Sequence, residues 1–388
     1  MSAGDLRLFR VLTLLANRHS VDLHVTVPIG ESDFDRQVEA FRQIGVRLVG
    51  AVPGGSLERV SIRRRYHIGL FEFWEYAEWA AGVFRERQPW ARVIIDTVDI
   101  HFLREEAGLA HGFSDAAGVE ARKLRELATY RQADAIIAIT PEDRKSLEFL
   151  DGMPRQYMVP IIVPSRPRDD RPRGREALFI GGFRHAPNVD GILWFVGEVW
   201  PEVRRALPDA TLTVVGSHAP VEVKDLGQVG GVQVVGHVPE TAPYLDNAAL
   251  SVAPLRYGAG MKGKVTEAMA SGMAVVTTTV GAQGLGAVSG QHLAIADDAG
   301  EFARQVVGLL GDPNRAREMG QAARELVGSI CSPQAAGERL EEMLAEVVVH
   351  GLSPIPPPEW LARSVLDRIR QMGRAMLPKG ARRMTVRQ

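Results

Sequence analysis

The stretch from Leu250 to Gly281 places two apolar segments on either side of a glycine-rich loop and a short helical segment. Its sequence is LSVAPLRYGAGMKGKVTEAMASGMAVVTTTVG. The runs Leu250–Leu255 and Ala274–Val280 are typical of strands, and Gly272 between them is a helix-ending residue. A strand, a glycine loop, a helix and a second strand together predict a unit of an α/β domain.

Two motif patterns fall on the loop of this unit. Gly258, Gly260 and Gly263 fit the dinucleotide pattern G-x-G-x-x-G, and Gly258, Gly263 and Lys264 fit all but the last position of the phosphate-loop pattern. Val265 stands where the phosphate loop needs a hydroxyl for magnesium. In both patterns glycines let backbone N–H groups approach an anion, while lysines and a helix start supply positive potential. We therefore predict an anion or nucleotide site here, with a purely structural turn as the alternative.

Length and composition favour a cytoplasmic protein with two domains. The 388 residues exceed what one core usually organises, and 45% hydrophobic with 24% charged residues is ordinary for a globular protein. With 46 basic and 47 acidic side chains, the net charge of −1 gives no argument for nucleic acid as a partner. The single cysteine, Cys331, excludes an internal disulfide and a cysteine-rich zinc site. No apolar run approaches the roughly 18 residues that a membrane-spanning helix needs.

Strand-like and helix-like segments alternate along both halves of the chain, which predicts two doubly wound α/β domains. The predicted strands are 21–27, 46–52, 92–98, 133–140, 177–180, 211–215, 232–235, 249–253 and 274–280. The proline-rich, charged segment 164–175 is typical of a linker. We therefore expect an N-terminal, acceptor-side domain at 1–165, a C-terminal, nucleotide-binding domain at 166–350, and a proline-rich spacer with a basic tail at 351–388.

The first domain begins unusually, because a predicted helix at 5–17 precedes its first strand. A nucleotide-type α/β domain normally opens with a strand and a glycine-rich loop. We therefore expect the first strand to be missing. Three interpretations of the missing strand stay open: that piece was lost, the reading frame starts late, or the protein no longer catalyses.

Polar residues in the first half gave one catalytic candidate. The strand 92–98 is followed by Asp99 and His101, and polar side chains at the carboxyl end of a parallel strand face the ligand crevice. His101 is therefore a catalytic or acceptor-side candidate, with a structural histidine as the alternative. Asp33 and Asp35 form a D-x-D, but they open a predicted helix at 33–44, where carboxylates suit the helix dipole. Aromatic residues between 66 and 87 are predicted to lie in the core or an interface.

No metal site is predicted from the histidines. Those of the second half lie near strand ends, but none forms a short ligand spacing with another histidine and a carboxylate.

The second half, from about residue 176 to 348, resembles the nucleotide-binding domain of the family 4 retaining glycosyltransferases of the GT-B fold, the glycogen-synthase-like nucleotide-sugar glycosyltransferases. The matching strings are FIGGFRHAPNVDGILWF, TLTVVGS, PLRYGAGMKGKVTEAMASGMAVVTTTVGAQGL and EFARQVVGLLGD. The first half is similar more weakly, through RVIIDTVDIHFLR and ATYRQADAIIAIT. The resemblance implies two Rossmann-like domains facing a cleft, with a nucleotide-diphospho-sugar held by the C-terminal one.

The same resemblance implies roles for individual residues. Glu267 would accept hydrogen bonds from the ribose hydroxyls, and Lys262 and Lys264 would neutralise the departing diphosphate in place of a metal. Backbone N–H groups of the glycine loop would lie against the donor phosphate and sugar, the 181–184 turn against the diphosphate, and Val238 with Pro239 against the base. The implied donor-side positions besides Glu267 and the two lysines are Gly181, Gly182, Arg184, Val238, Gly258, Ala259, Gly260 and Met261.

Three positions depart from the family's pattern. Ala259 stands where a second carboxylate often partners Glu267, Gly182 where many members have an arginine, and Asn188 where many have a lysine. One contact to the donor sugar is therefore missing, and Arg184 and Lys262 are the cations that could substitute for the missing charges.

The predicted function is metal-independent, retaining transfer of a sugar from a nucleotide-diphospho-sugar to an unknown acceptor. The acceptor could be a glycan or a lipid-linked molecule, as in surface glycan or glycoconjugate synthesis, and no cofactor besides the donor substrate is expected. A GT-B-fold binding or scaffold protein without turnover is the first alternative. A phosphate-loop NTPase, with LAIADD at 293–298 as its acidic strand, is the second, and Val265 argues against it.

The tail carries an excess of positive charge, because residues 354–388 include eight basic and two acidic side chains. Within it, the segment 360–377 places its arginines largely away from one helical stripe of apolar residues, which are Leu361, Val365, Ile369, Met372 and Met376. Such basic amphipathic helices can lie on anionic membrane surfaces. Docking against the first domain or against another subunit is the alternative.

Overall fold

The computed structural model describes residues 3–24, 39–49, 57, 64–109, 115–169, 171 and 173–349. The D-x-D at Asp33 and Asp35 and the whole tail at 351–388, including the segment 360–377, lie outside these residues. Within them the chain forms two α/β domains with parallel sheets, so the predicted fold class is confirmed.

The N-terminal domain begins with helix α1 (Ala3–Ala16), ahead of strand β1 (Asp22–His24). Strand β1 pairs in parallel with β2 (Arg47–Val49). A second sheet contains, in spatial order, β3 (Ile68–Glu72), β4 (Arg92–Asp96), β5 (Ala135–Ala138) and β6 (Arg155–Met158), all parallel. Its helices are α2 (Trp74–Arg87), α3 (His101–Leu109), α4 (Ala116–Tyr130) and α5 (Pro141–Glu148).

The aromatic segment at 66–87 is a strand followed by a helix. Phe71 lies on β3 and Phe84 on α2, and their rings pack edge to face with centroids 5.7 Å apart. Both side chains and Trp74 are buried in the N-terminal core, which confirms the predicted core role for these three, whereas Trp79 is 49% exposed. Strand β3 itself was not predicted, because aromatic residues suit a strand as well as a helix.

The C-terminal domain alternates strands and helices throughout. Its strands are β7 (Glu176–Ile180), β8 (Thr211–Val215), β9 (Val232–Gly236), β10 (Leu250–Ala253), β11 (Ala274–Thr277) and β12 (Ala294–Ile295). Its helices are α6 (Ala186–Trp194), which continues through a π-helical turn (Phe195–Val199) into α7 (Trp200–Ala206), then α8 (Val221–Lys224), α9 (Ala242–Asn247), α10 (Gly263–Ala270), α11 (Ala299–Gly311), α12 (Pro313–Cys331) and α13 (Pro333–Val349).

The six strands of this domain lie in the order β12-β11-β10-β7-β8-β9, all parallel. Numbered from its own first strand, the sheet has the 3-2-1-4-5-6 order of a doubly wound dinucleotide-binding fold. Strands β7 and β10 are neighbours, and the order of the chain reverses between them. Ligands bind in such sheets at this reversal, beyond the carboxyl ends of the two strands.

The sheet is buried on both faces, as the near-continuous apolar runs of its strands require. Successive residues of β7 point to opposite sides. Ala177 and Phe179 therefore join one core cluster with Trp200, whereas Leu178 joins a second cluster with Val265.

The last described helix, α13, returns to the N-terminal domain. Its apolar residues Leu340 and Met343 pack in one cluster with Ile94 and Ile137 of the β3–β6 sheet. The chain therefore passes between the domains twice, and the two crossings lie side by side, because the Val163 N–H donates to the carbonyl of Cys331 at 2.7 Å. Among the described helices, none combines the length and the hydropathy that crossing a bilayer demands.

Candidate functional site

The crevice beyond β7 and β10 is formed by the loops that follow these two strands and by the first turn of α10. Gly258 has φ 139° and Gly260 has φ 70°, conformations that L side chains rarely adopt. The glycines therefore let the loop fold back tightly before α10 begins at Gly263. The amino end of α10 points its unpaired backbone N–H groups into the crevice, which suits an anion.

Lys264 lies in the first turn of α10, at the centre of the crevice. Its Nζ donates a hydrogen bond to Asn188 Oδ1 and lies 4.6 Å from the centroid of the Phe179 ring. A Cβ atom on Gly181 would lie 2.9 Å from the same Nζ, so glycine at that position leaves room for the lysine. Burial, followed by repulsion from Lys262, lowers the pKa of Lys264 to about 7. An anion placed beside this amine favours its charged form.

Lys262 is held over its own loop. Its Nζ donates to the carbonyls of Ala259 at 2.7 Å and Gly260 at 2.5 Å. Burial lowers the pKa of Lys262 to about 8, while the charges of Asp99 and Asp143 act in the opposite direction. The two lysines predicted to face the diphosphate are therefore both in the crevice, and both have pKa values shifted towards neutrality.

Glu267 lies three residues after Lys264, on the same face of α10. Burial raises the pKa of Glu267, and the charge of Arg10, a hydrogen bond from the Thr241 side chain and the charge of Arg166 oppose that effect. Arg10 comes from α1 of the other domain, so the N-terminal helix contributes positive charge to this side of the crevice. The contributions of Arg10 and Thr241 had no sequence signal, because both residues are distant from α10 along the chain.

The turn after β7 is fixed by Asn188. Its buried side chain donates from Nδ2 to the carbonyl of Gly182 at 2.7 Å and accepts from Lys264 on its other side. Asn188 thus orients Lys264 without adding charge. Arg184 lies exposed on the same turn, just before α6.

His101 opens α3 at the carboxyl end of β4. Its Nδ1 lies 3.1 Å from Trp74 Nε1 and 2.8 Å from Glu75 Oε1. Without a proton, Nδ1 accepts a hydrogen bond from Trp74; with a proton, the same nitrogen donates a hydrogen bond to Glu75. The backbone N–H of His101 donates to Glu126 Oε1 at 3.0 Å, which ties the start of α3 to α4. Both ring contacts use Nδ1, so Nε2 is the nitrogen that could act on a substrate.

Asp99 brings the N-terminal domain up to the glycine loop. A Cβ on Gly260 would lie 3.6 Å from Asp99 Oδ1, and Asp99 also accepts a hydrogen bond from Arg104. Val98, just before it, has φ 55°, a strained conformation for a β-branched residue and one that concentrates at functional sites. The carboxyl end of β4 therefore faces the loop after β10 across the cleft. The effect of the Asp99 charge on the pKa of Lys262 was not predicted from the sequence.

The remaining predicted positions lie around the rim. Val238 packs on the second core cluster of the C-terminal domain and lines a surface concavity with Pro239 and Tyr244. Met261 is buried against Cys331, with their sulfur atoms 3.8 Å apart. Within the described ranges there is no group of three or more His, Cys, Asp or Glu residues that could hold a metal ion.

The phosphate-loop alternative is disfavoured by the packing of α10. Val265 is fully buried in the core, so the position that would carry a magnesium-binding hydroxyl points away from the crevice. The segment 293–298 contributes only the two-residue edge strand β12.

Comparisons with known proteins agree with this geometry. Residues 174–312 match the family model described as Glycosyl transferases group 1. An uncharacterized 44.6 kDa protein in the cps region of Klebsiella pneumoniae is 27% identical over 158 residues, which cover 38% of this chain and 40% of that protein. The matched segment thus spans about two fifths of that curated relative.

Solved structures resemble the chain over most of its length. A sucrose-phosphate synthase from Thermosynechococcus elongatus has a TM-score of 0.65 at 17% identity, covering 89% of this chain and 93% of that one. HepE from Anabaena, solved with UDP and glucose, has a TM-score of 0.65 at 12% identity, covering 89% and 96%. The pneumococcal O-GlcNAc transferase GtfA, solved with UDP and GlcNAc, has a TM-score of 0.55 at 15% identity, covering 69% and 55%.

The resemblance inferred from the sequence is therefore confirmed. The two domains together have the GT-B fold, and the segment 174–312 matches the family model described as Glycosyl transferases group 1.

Proposed function

We propose that the protein is a glycosyltransferase that takes a sugar from a nucleotide-diphospho-sugar with retention of configuration and without a metal ion. The observation that carries the proposal is the face of α10, which presents a lysine of lowered pKa and a half-buried glutamate, Lys264 and Glu267, at the reversal point of the sheet. The HepE structure and the GtfA structure that resemble the chain each hold UDP with a sugar, which supports a uridine nucleotide as the first donor to test.

In the proposed complex the diphosphate lies at the amino end of α10. Lys264 gives up its bond to Asn188 in favour of the phosphate oxygens, and Lys262 turns from the loop carbonyls towards the same group. Glu267 accepts hydrogen bonds from the ribose hydroxyls, and Val238 borders the base. The diphosphate is the source of charge that returns both lysines to their ammonium form.

The reaction breaks the bond between the anomeric carbon and the diphosphate oxygen. The acceptor hydroxyl oxygen forms its new bond to that carbon on the same face of the sugar, and its proton passes to the departing phosphate oxygen. Positive charge placed beforehand at the leaving group stabilises the transition state, since charge develops there as the bond breaks. Lys264 is the residue best positioned to supply it.

The acceptor side is proposed to lie at the carboxyl end of β4, where His101 projects from α3. A glycan or lipid-linked acceptor fits both this placement and the curated relative from a cps region.

The reaction is proposed to take place in the cytoplasm, with the segment 360–377 touching the inner membrane face. Co-sedimentation with anionic liposomes tests that contact, and equal binding by the full chain and a chain ending at Gly351 would contradict it.

A binding or scaffold protein without turnover is the second candidate. It is favoured by Ala259, which leaves Glu267 without a second carboxylate on the donor side, and by the bonds of Lys262 to its own loop. Release of free sugar from the donor during long incubation separates the two candidates, because a protein that only binds returns the donor intact.

The first experiment is calorimetric titration of a panel of nucleotide-sugars, including UDP-glucose and UDP-GlcNAc, into the full chain. We expect one of them to bind and Lys264→Met to weaken that binding strongly. Lys224→Met, which removes an exposed lysine on α8, serves as the matched control and should bind like wild type. Equal affinities of Lys264→Met and Lys224→Met would overturn the proposed site.

A further inference from the structure

A second polar cavity lies at the opposite edge of the C-terminal sheet from the donor crevice. It is bordered by the amino ends of β10 and β11, at Ala249 and Ala274, and by α12. Its volume is about 160 Å³, well above the roughly 10–15 Å³ that a single water molecule needs. Because parallel strands all start at this edge and end at the other, the cavity is separate from the crevice.

The lining of this cavity is strongly basic. Among the described residues around it, the only carboxylate is Asp169, against a set of guanidinium groups. These belong to Arg168, Arg171, Arg173, Arg317 and Arg324. The first three come from the segment predicted as a linker, and the last two from α12. The wall therefore carries four more positive than negative charges.

Hydrogen bonds hold the three linker arginines against the domain, so their positions on the cavity wall are fixed by the fold. Arg168 donates to the carbonyl of Ala248, Arg173 Nε donates to the carbonyl of Asp246 at 2.8 Å, and Arg171 Nη2 donates to Asn247 Oδ1 at 2.6 Å. All three partners lie at the carboxyl end of α9, where the unpaired carbonyls and the helix dipole favour cations. The described residues of the predicted linker, 164–169, 171 and 173–175, thus pack against the C-terminal domain and do not form a free connection between the domains.

The anchoring leaves donor capacity on the cavity wall unused. Arg168 Nε is buried and has no hydrogen-bond partner in the described part of the chain. Arg324 forms no ion pair there and lies against Gly272, where a Cβ would be 3.9 Å from its Cδ. Burial, followed by the charge of Arg173, lowers the pKa of Arg168 to about 10, while the charges of Asp246 and Asp169 act in the opposite direction. Buried polar groups are nearly always hydrogen-bonded, and buried charges are nearly always compensated.

We propose that this cavity binds a small phosphate-bearing anion, either inorganic phosphate or the phosphate group of a small metabolite. Guanidinium groups form paired hydrogen bonds to phosphate oxygens, which lysines cannot match. The cavity has the size of a compact anion, and its arginines converge from the linker and from α12. Neither the family match nor the proposed donor site uses these residues.

The cavity is linked to the donor crevice through α10. Ser271 and Gly272 line the cavity directly after the last turn of this helix, while Lys264 lies in its first turn. Eight helical residues span about 12 Å at 1.5 Å per residue. The two anion sites would therefore lie at opposite ends of one short helix, and each can be removed without touching the other.

The test is calorimetric titration of inorganic phosphate into the full chain carrying Lys264→Met, so that the crevice contributes little. We expect binding of about one phosphate per chain, weakened at least tenfold when Arg317→Gln and Arg324→Gln are added. Arg315→Gln, an exposed arginine of the same helix that does not line the cavity, is the matched control and should leave the affinity unchanged. Circular dichroism verifies that each variant is folded.

Two results would overturn the proposal. One is the absence of phosphate binding to the Lys264→Met chain, which would place any wild-type binding in the donor crevice. The other is equal affinity in the double arginine variant and in Arg315→Gln. If the double variant fails to fold, Arg317→Glu takes its place, since Arg317 is exposed and charge reversal there should also weaken phosphate at least tenfold. Failure of nucleotide-sugar binding would leave this test intact, because the probe is phosphate alone.

Discussion

The lowered pKa of Lys264 predicts that the affinity for a nucleoside diphosphate falls as the pH rises. With a pKa of about 7 in the free protein, Lys264 is about half charged at pH 7 and about one hundredth charged at pH 9. A diphosphate in the crevice binds the charged form and raises the pKa of the amine in the complex. Binding above pH 7 therefore requires uptake of a proton, which costs affinity.

The size of this effect follows from the fraction of charged lysine. If Lys264 is fully charged in the complex, the dissociation constant of UDP should rise about fivefold from pH 7 to pH 8 and about 50-fold from pH 7 to pH 9. Lys262, with a pKa of about 8, adds about a further tenfold over the same range. In Lys264→Met only this second, shallower dependence should remain. Lys264→Arg should also show only the shallower dependence, because a guanidinium stays charged throughout.

The assay is calorimetric titration of UDP between pH 7 and pH 9 in two buffers with different ionisation enthalpies. The difference between the buffers measures the protons taken up, which should approach one per chain for Lys264 near pH 8. Identical pH profiles for wild type and Lys264→Met would refute the reasoning, because they would show that the amine of Lys264 does not contact the diphosphate.

Three further predictions concern single residues. Glu267→Gln should weaken donor binding at least about tenfold without changing the unfolding midpoint, because an amide is a poorer acceptor for a diol; calorimetry with thermal denaturation checks this, and unaltered affinity would contradict it. Gly216→Ala would place a Cβ 1.9 Å from a backbone carbonyl oxygen and should lower the free energy of unfolding by about 1–3 kcal/mol in urea denaturation, whereas Gly197→Ala, with nothing within 4 Å, should not lower it by a steric clash. Arg7→Met would leave Asp96 buried without its ionic partner, and urea denaturation should show a loss of about 3–5 kcal/mol; a loss below 1 kcal/mol would count against a buried charge pair.

Much of the fold was predictable because most strands are short apolar runs between turn residues, whereas β6, with the sequence RQYM, is not apolar and was not predicted. Strand β8 was predicted residue for residue, and β10 differs by one residue at its start. Strand β3 could not be predicted from its pattern, since its aromatic residues continue directly into those of α2. The docking of α13 on the β3–β6 sheet depends on contacts between residues far apart in sequence, which local periodicity does not encode.

The candidate site was partly predictable for the same reason. The spacing of Lys264 and Glu267 on one helix is a local property, and the structure places both in the crevice. The state of Lys262, bonded to the carbonyls of its own loop, depends on backbone conformation and could not be inferred. The contributions of Arg10 and Thr241 to Glu267 arise only when distant elements meet.

The paired crossings between the domains determine how the cleft can open. The two segments that cross between the domains lie side by side where the Val163 N–H donates to the Cys331 carbonyl, so they define a single hinge line. A rotation about that line requires changes in few backbone dihedral angles, and it leaves the β3–β6 sheet with α13 intact. Residues far from the line, including Asp99 and Gly260, would separate most. Because α13 follows the second crossing, ending the chain at Ser332 would remove the helix that covers the apolar face of the β3–β6 sheet.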